Sequence, residues 1–292
     1  MYSKVKLTIA GLAISLLVIS MTGCSDDEKG TSSPTDPSGY TNADGIVGGK
    51  LYDKFWATET GWNQSDANIT TYYNSRADFF RCKQCHGWDL MGSEGAYISR
   101  AASASRPHVS SVDLRSIAAS KTPQELFDAM KKSSGRRAIT ENLSTYDPTT
   151  NFTIGDQMPN YGSIFTDDQI WDIVRFMKLE AIDVSTLYDF QISGVYPTGS
   201  IAYSNIGKDG IAATGDAIYS ARCVSCHGAN GSTILVDGGS YTVGRHLRSK
   251  PNEDQHKIKF GQLGSPMGSL VTNKDEMKHL YKALTDQTKY PD

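Results

Sequence analysis

The chain has 292 residues, enough for about two domains at roughly 150 residues each. Hydrophobic residues make up 38% and charged residues 21%, so most of the chain can fold around cores, and 27 glycines favour a loop-rich architecture over long uninterrupted helices. The net charge of −3 supplies no basic footprint for nucleic acid, which is excluded as a partner on that ground.

Lys4 and Lys6 precede an apolar run from Leu7 to Ile19. That run is too short for a comfortable transmembrane helix and has the length of a signal-peptide core. It ends in Met21-Thr22-Gly23-Cys24. Small residues directly before a cysteine resemble a bacterial lipobox. The resemblance implies cleavage before Cys24, lipid on its sulfur and amine, and an exported cell-envelope protein. Its place would be the periplasmic side of the inner or outer membrane, or the cell surface. The alternative is an ordinary secretory signal with a stray cysteine. Residues 1–23 are thus read as a lipoprotein signal peptide. Residues 24–46, rich in Ser, Thr, Asp, Pro and Gly and without apolar periodicity, are read as a flexible tether.

The next segment, 47–182, opens with Gly48-Gly49 and a helix through Trp56. The motif C-K-Q-C-H-G follows from Cys82. Thr122-Pro123-Gln124-Glu125 predicts a capped helix start, with proline at the first helical position and glutamate at the third. A loop, Gln157-Met158-Pro159-Asn160-Tyr161-Gly162, comes next. Thr166 then caps a helix with Gln169 as its capping-box partner and Phe165 and Ile170 as a hydrophobic staple. Ile170, Ile173, Val174 and Met177 make its apolar face.

Residues 183–211 mix apolar residues with Pro, Gly and Ser and read as a connector that could pack on both sides. The last segment, 212–292, repeats the order of parts. A helix leads into C-V-S-C-H-G from Cys223, and Asn252 and Gln255 frame a helix closed by Gly261. The loop Gly264-Ser265-Pro266-Met267-Gly268 precedes a helix capped by Asn273 and Glu276, with Met277, Leu280, Tyr281 and Leu284 on one face.

Of the five cysteines, Cys24 belongs to the lipobox and the other four form two Cys-x-x-Cys pairs. A lone pair of this kind could be half a zinc site, a redox disulfide or chance. A histidine directly after it points to c-type haem attachment. Two thiols at that spacing reach the two vinyl groups on one porphyrin edge, and the next imidazole then lies under the ring. One zinc shared by both pairs would have to span the long stretch between Cys85 and Cys223 and would leave the following His-Gly unexplained. Two covalently attached haems are therefore expected. Cys82, Cys85, Cys223 and Cys226 form the thioethers, and His86 and His227 bind iron.

These parts in this order resemble the class I cytochrome c family, over roughly 48–182 and 212–288. The resemblance implies an all-α fold of two tandem helical domains, each wrapped round one haem, with first and last helices crossing near the motif. It also implies a methionine from a late loop as the sixth ligand, which falls on Met158 and Met267. Methionine is more often core filler, a reading that suits Met130, Met177 and Met277 on helix faces better than two loop methionines. Met91 lies too near His86 to reach the opposite face of a ring. His108, for the first haem, and His246 or His256, for the second, are rival ligands. His279 lies on the last helix. Arg106, Arg136 and Arg137 could bind an anion, though exposed arginines are usually only solvated.

Electron transfer with redox partner proteins at a membrane surface is the leading expectation, because six-coordinate irons leave no position for substrate. A two-haem oxidoreductase (dehydrogenase or peroxidase-like) and the cytochrome subunit of a larger respiratory complex are the alternatives. The stretches 57–81 and 92–121 exceed what a compact domain of this family requires and read as haem-covering or partner-binding insertions.

Overall fold

The computed structural model describes residues 36–55, 77–138, 143–262 and 265–292. The signal sequence, Cys24 and most of 57–81 lie outside the described residues. Among the described residues, no helix is long and apolar enough to cross a membrane.

The chain is folded earlier than composition suggested. Helix α1 (Ser38–Asn42) lies within the expected tether, yet Tyr40 is only 5% exposed and belongs to the first core. Its carbonyl accepts from Arg175 at 3.0 Å. Burial of one aromatic ring orders a stretch whose remaining residues are turn formers. Helix α2 (Gly45–Lys54) starts three residues before Gly48, because Asp44 accepts from the amides of Ile46 and Val47 at its N-terminus.

After the first motif helix, α3 (Cys82–His86), come α4 (Leu114–Ser120), α5 (Pro123–Lys131), the short α6 (Thr153–Asp156) and α7 (Asp167–Arg175). Helix α7 continues in a wide turn over Phe176–Glu180. Both expected capping boxes form. The Thr122 amide donates to Glu125 at 2.8 Å and the Thr166 amide to Gln169 at 3.0 Å, each with the reciprocal bond. Phe165 and Ile170 are both buried in the first core.

The connector departs from the all-α expectation. Strands β1 (Asp189–Ser193) and β2 (Ser200–Ser204) form an antiparallel hairpin, with Asp189 opposite Ser204 and Ser193 opposite Ser200. It packs on both sides. Phe190 and Tyr203 touch the second core, and the Tyr196 hydroxyl accepts from the Val109 amide at 3.1 Å.

The C-terminal part contains α8 (Ala212–Arg222), α9 (Val224–His227), α10 (Val243–Ser249), α11 (Pro251–Phe260) and α12 (Lys274–Leu284). Asn252 and Gln255 do not cap α11. Pro251 is its first residue, Asn252 accepts from Tyr203 and Gln255 donates to the Trp88 carbonyl at 2.8 Å. Asn273 does cap α12, but Glu276 turns outward to a two-bond pair with Arg222, at 2.7 and 2.8 Å.

Among the described residues, two large hydrophobic cores form, one mainly from Tyr40 to Phe176 and one from Ile182 to Tyr290, with a smaller cluster of Trp88, Tyr97 and Val109. They interlock: Phe260 enters the first core and Met91 packs on the second. Residues 36–292 accordingly form one compact unit.

The two cores share one plan. Helix α2 crosses α7 where Gly48 meets the Asp172 carbonyl, and α8 crosses α12 where Gly215 meets the His279 carbonyl. At both glycines a Cβ would overlap the opposing carbonyl, so only glycine permits the approach.

Candidate haem sites

Each motif folds as one helical turn ended by glycine. Gly87 has φ 75° and ψ 169°, and Gly228 has φ 76° and ψ 170°. A positive φ favours glycine and turns the chain sharply after each histidine. The glycine amides donate to the carbonyls of Lys83 at 3.0 Å and Val224 at 2.9 Å. The Tyr52 hydroxyl of α2 donates to the Gly87 carbonyl at 2.6 Å, and that of Tyr219 on α8 to the Gly228 carbonyl at 2.9 Å. The first helix of each half thus anchors its own motif. Sequence reading passed over this tyrosine pair, although Gly-x-x-x-Tyr is spelled out at Gly48–Tyr52 and Gly215–Tyr219.

At the second motif the expected residues converge. Cys223, Cys226, His227 and Met267 line one cavity of about 710 Å³. That volume is within the range of small-molecule and cofactor sites. His227 Nδ1 lies 3.1 Å from the Ile234 carbonyl, a bond that leaves Nε2 as the nitrogen available to a metal. Met267 is half-buried, with its loop held by the Gln262 amide donating to its carbonyl at 2.9 Å.

At the first motif Cys82 and Met158 meet the same core cluster. His86 is held as a neutral imidazole, because burial pushes it down to about 4, and a neutral ring is the form that ligates metal. Arg137 is not solvated as expected: it is 2% exposed. Its guanidinium lies 4.7 Å from the Phe80 ring and donates to the Phe79 carbonyl at 3.3 Å. Its amide donates to the Met158 carbonyl at 3.1 Å. Arg137 therefore ties the Met158 loop to the chain entering the motif. Arg106 and Arg136 donate to the carbonyls of Ala101 and Ala129.

Cys82 is buried, Cys85 and Cys223 are half-buried and Cys226 is exposed. Burial pushes Cys82 up to about 11, Cys85 to about 12 and Cys223 to about 11. Among the described residues, no three His, Cys, Asp or Glu side chains are arranged to hold a metal ion, so the two pairs do not converge on one zinc.

Residues 72–179 match the cytochrome c family. No curated protein and no solved structure matches the chain. The matched segment contains Cys82, Cys85, His86 and Met158, and a cytochrome c domain implies covalently bound haem with its iron. The residues fit that group: buried thiols at vinyl spacing, a neutral imidazole and a loop methionine. Haem supplies one-electron chemistry; the chain's part is to attach it, ligate it and exclude water. The second motif lies outside the matched segment.

The rival histidines separate clearly. His256 is 1% exposed and enclosed by Tyr52, Trp88, Phe176 and Phe260, and it does not line the cavity. His279 Nδ1 accepts from the Ile211 amide at 2.8 Å. His108 is tied to Asp156 at 2.8 Å, beside the Met158 loop. His246 lines the second cavity, with Nδ1 2.9 Å from Asp254 Oδ1. Burial alone would lower His246, but the Asp254 hydrogen bond and charge override it and hold it above its ordinary value.

Proposed function

We propose that this chain is a two-haem c-type cytochrome that transfers electrons, with one haem at Cys82, Cys85 and His86 and the other at Cys223, Cys226 and His227. The observation that carries the reading is the second cavity. A copy of the first motif's backbone, anchored by an equivalent tyrosine, opens onto a space lined by both cysteines, His227 and Met267. Met158 and Met267 are the sixth ligands, and Met/His ligation favours a raised reduction potential. The two interlocked halves act as tandem cytochrome c domains. The basic-apolar-Cys24 pattern supports export and a lipid anchor, which would hold the protein at an envelope membrane beside its redox partners.

Haem content tests this. Protein produced with a haem-attachment system should carry two haems by intact mass and by the alkaline pyridine spectrum. Cys223→Ser with Cys226→Ser should carry one. A parent chain with a single haem would reject the reading.

One observation favours a second reading. The His246–Asp254 pair has the arrangement of a metal-ligating histidine with its orienting carboxylate. If His246 rather than Met267 completes the second iron, that haem is bis-histidine and lower in potential. If neither does, the site is open and an oxidoreductase becomes the better description.

A further inference from the structure

Lys83 stands between Cys82 and Cys85, inside the first motif, yet it lines the cavity of the second. It is 9% exposed, and its carbonyl accepts from the Gly87 amide at 3.0 Å. Its ammonium lies 4.8 Å from the centre of the Trp88 ring. Beside it on the same wall, Arg81 and Lys257 share one carboxylate, Asp53, which Lys257 meets at 2.9 Å. Three cations thus surround one buried carboxylate. Glu253, a further acid on this wall, acts with Asp53 in favour of the Lys83 charge. Burial, reinforced by the Arg81 charge, outweighs the attraction of Asp53 and Glu253 and pulls Lys83 down to about 7.

The cavity therefore calls for an anion on this wall while its opposite requirement is apolar. Haem has that division: an apolar macrocycle, thioethers on one edge and two carboxylates on another. We propose that Lys83 binds a carboxylate of the haem attached at Cys223 and Cys226, with Arg81 and Lys257 completing the cationic wall. The inference rests on the two-haem reading. Its consequence is that the stretch Arg81–Trp88, which carries the first haem, is also a wall of the second haem's site.

Carbon-13 NMR of the reduced, diamagnetic protein, with the haem carboxylates labelled, tests the contact. Intact mass first establishes the haem count in every variant. In Lys83→Met, one carboxylate should lose at least tenfold in acid dissociation constant, and Lys83→Arg should restore it. The responding carboxylate is assigned to its haem by comparison with Met158 and Met267 variants, and it should belong to the second. Two haems with unchanged carboxylate titrations, or a response only in the first haem, would overturn this proposal alone. A single haem in the parent would remove the two-haem reading and this proposal with it.

Discussion

The Tyr219 hydroxyl donates to the Gly228 carbonyl at 2.9 Å, fastening the helix before the second motif to the turn that ends it. Tyr52 does the same for Gly87 in the first half. A buried carbonyl left without its donor bears a desolvation cost. Tyr52→Phe and Tyr219→Phe should each lower stability by about 1 kcal/mol, measured by urea unfolding. The Tyr52 variant should cost more, because its bond is fully buried and that of Tyr219 is part-buried.

The helix crossings allow no side chain at Gly48 or Gly215. Gly48→Ala and Gly215→Ala must push the opposing carbonyls of Asp172 and His279 away. Each should cost about 1–3 kcal/mol or more by overpacking, despite alanine's better helix propensity. An alanine variant with an unchanged or raised melting temperature would show that the helices do not cross at these points.

Asp53 is 1% exposed and pairs with Arg81 and Lys257. Burial opposes its charge, but the Lys257 and Arg81 cations override it and hold its carboxyl well below the ordinary value of 3.8. Its contribution to stability is therefore complete above about pH 4 and is lost as pH falls below that, toward the depressed folded value. Asp53→Asn should cost about 3–5 kcal/mol at neutral pH, since it removes the buried carboxylate that Arg81 and Lys257 share. Acid titration of unfolding should show the loss below pH 4 in the parent and a flatter profile in the variant.

Ligand substitution separates Met267 from His246. Replacing Met267 with alanine should abolish the methionine–iron absorption of one haem and leave that iron open to cyanide. Met158→Ala should do the same to the other haem. His246→Ala should leave both ligand spectra intact. The opposite pattern, with His246→Ala opening an iron, would assign the second haem to two histidines.

Arg137 ties the Met158 loop to the entrance of the first motif through its amide and its guanidinium. Arg137→Met keeps the apolar stem and the amide bond but removes the guanidinium. It should loosen the loop, so that imidazole added in solution displaces the Met158 ligand at roughly tenfold lower concentration, about 1.4 kcal/mol of lost positioning. The second haem's titration should not change.

What the sequence determined by itself was local. The motif turns, the two capping boxes and the apolar faces of α7 and α12 depend on residues within a few positions of one another, and such short-range geometry is written in spacing. The pair of Cys-x-x-Cys-His motifs belongs to this class. Tertiary structure decided the rest. Tyr40 is ordered by a core formed with residues more than a hundred positions away, against the turn-rich composition around it. The connector became a hairpin because the surfaces on its two sides hold it there. Arg137, one of three arginines alike in sequence, is buried because the Met158 loop and Phe80 close over it. Lys83 lies within the first motif but lines the second cavity, because α11 is tied to α2 through Lys257 and Asp53 and to the chain just past the motif through Gln255 and the Trp88 carbonyl. A chain can state which residues will bind a haem edge. Which cations meet the far side of that haem depends on how the two halves interlock, and that is set only when both cores have formed.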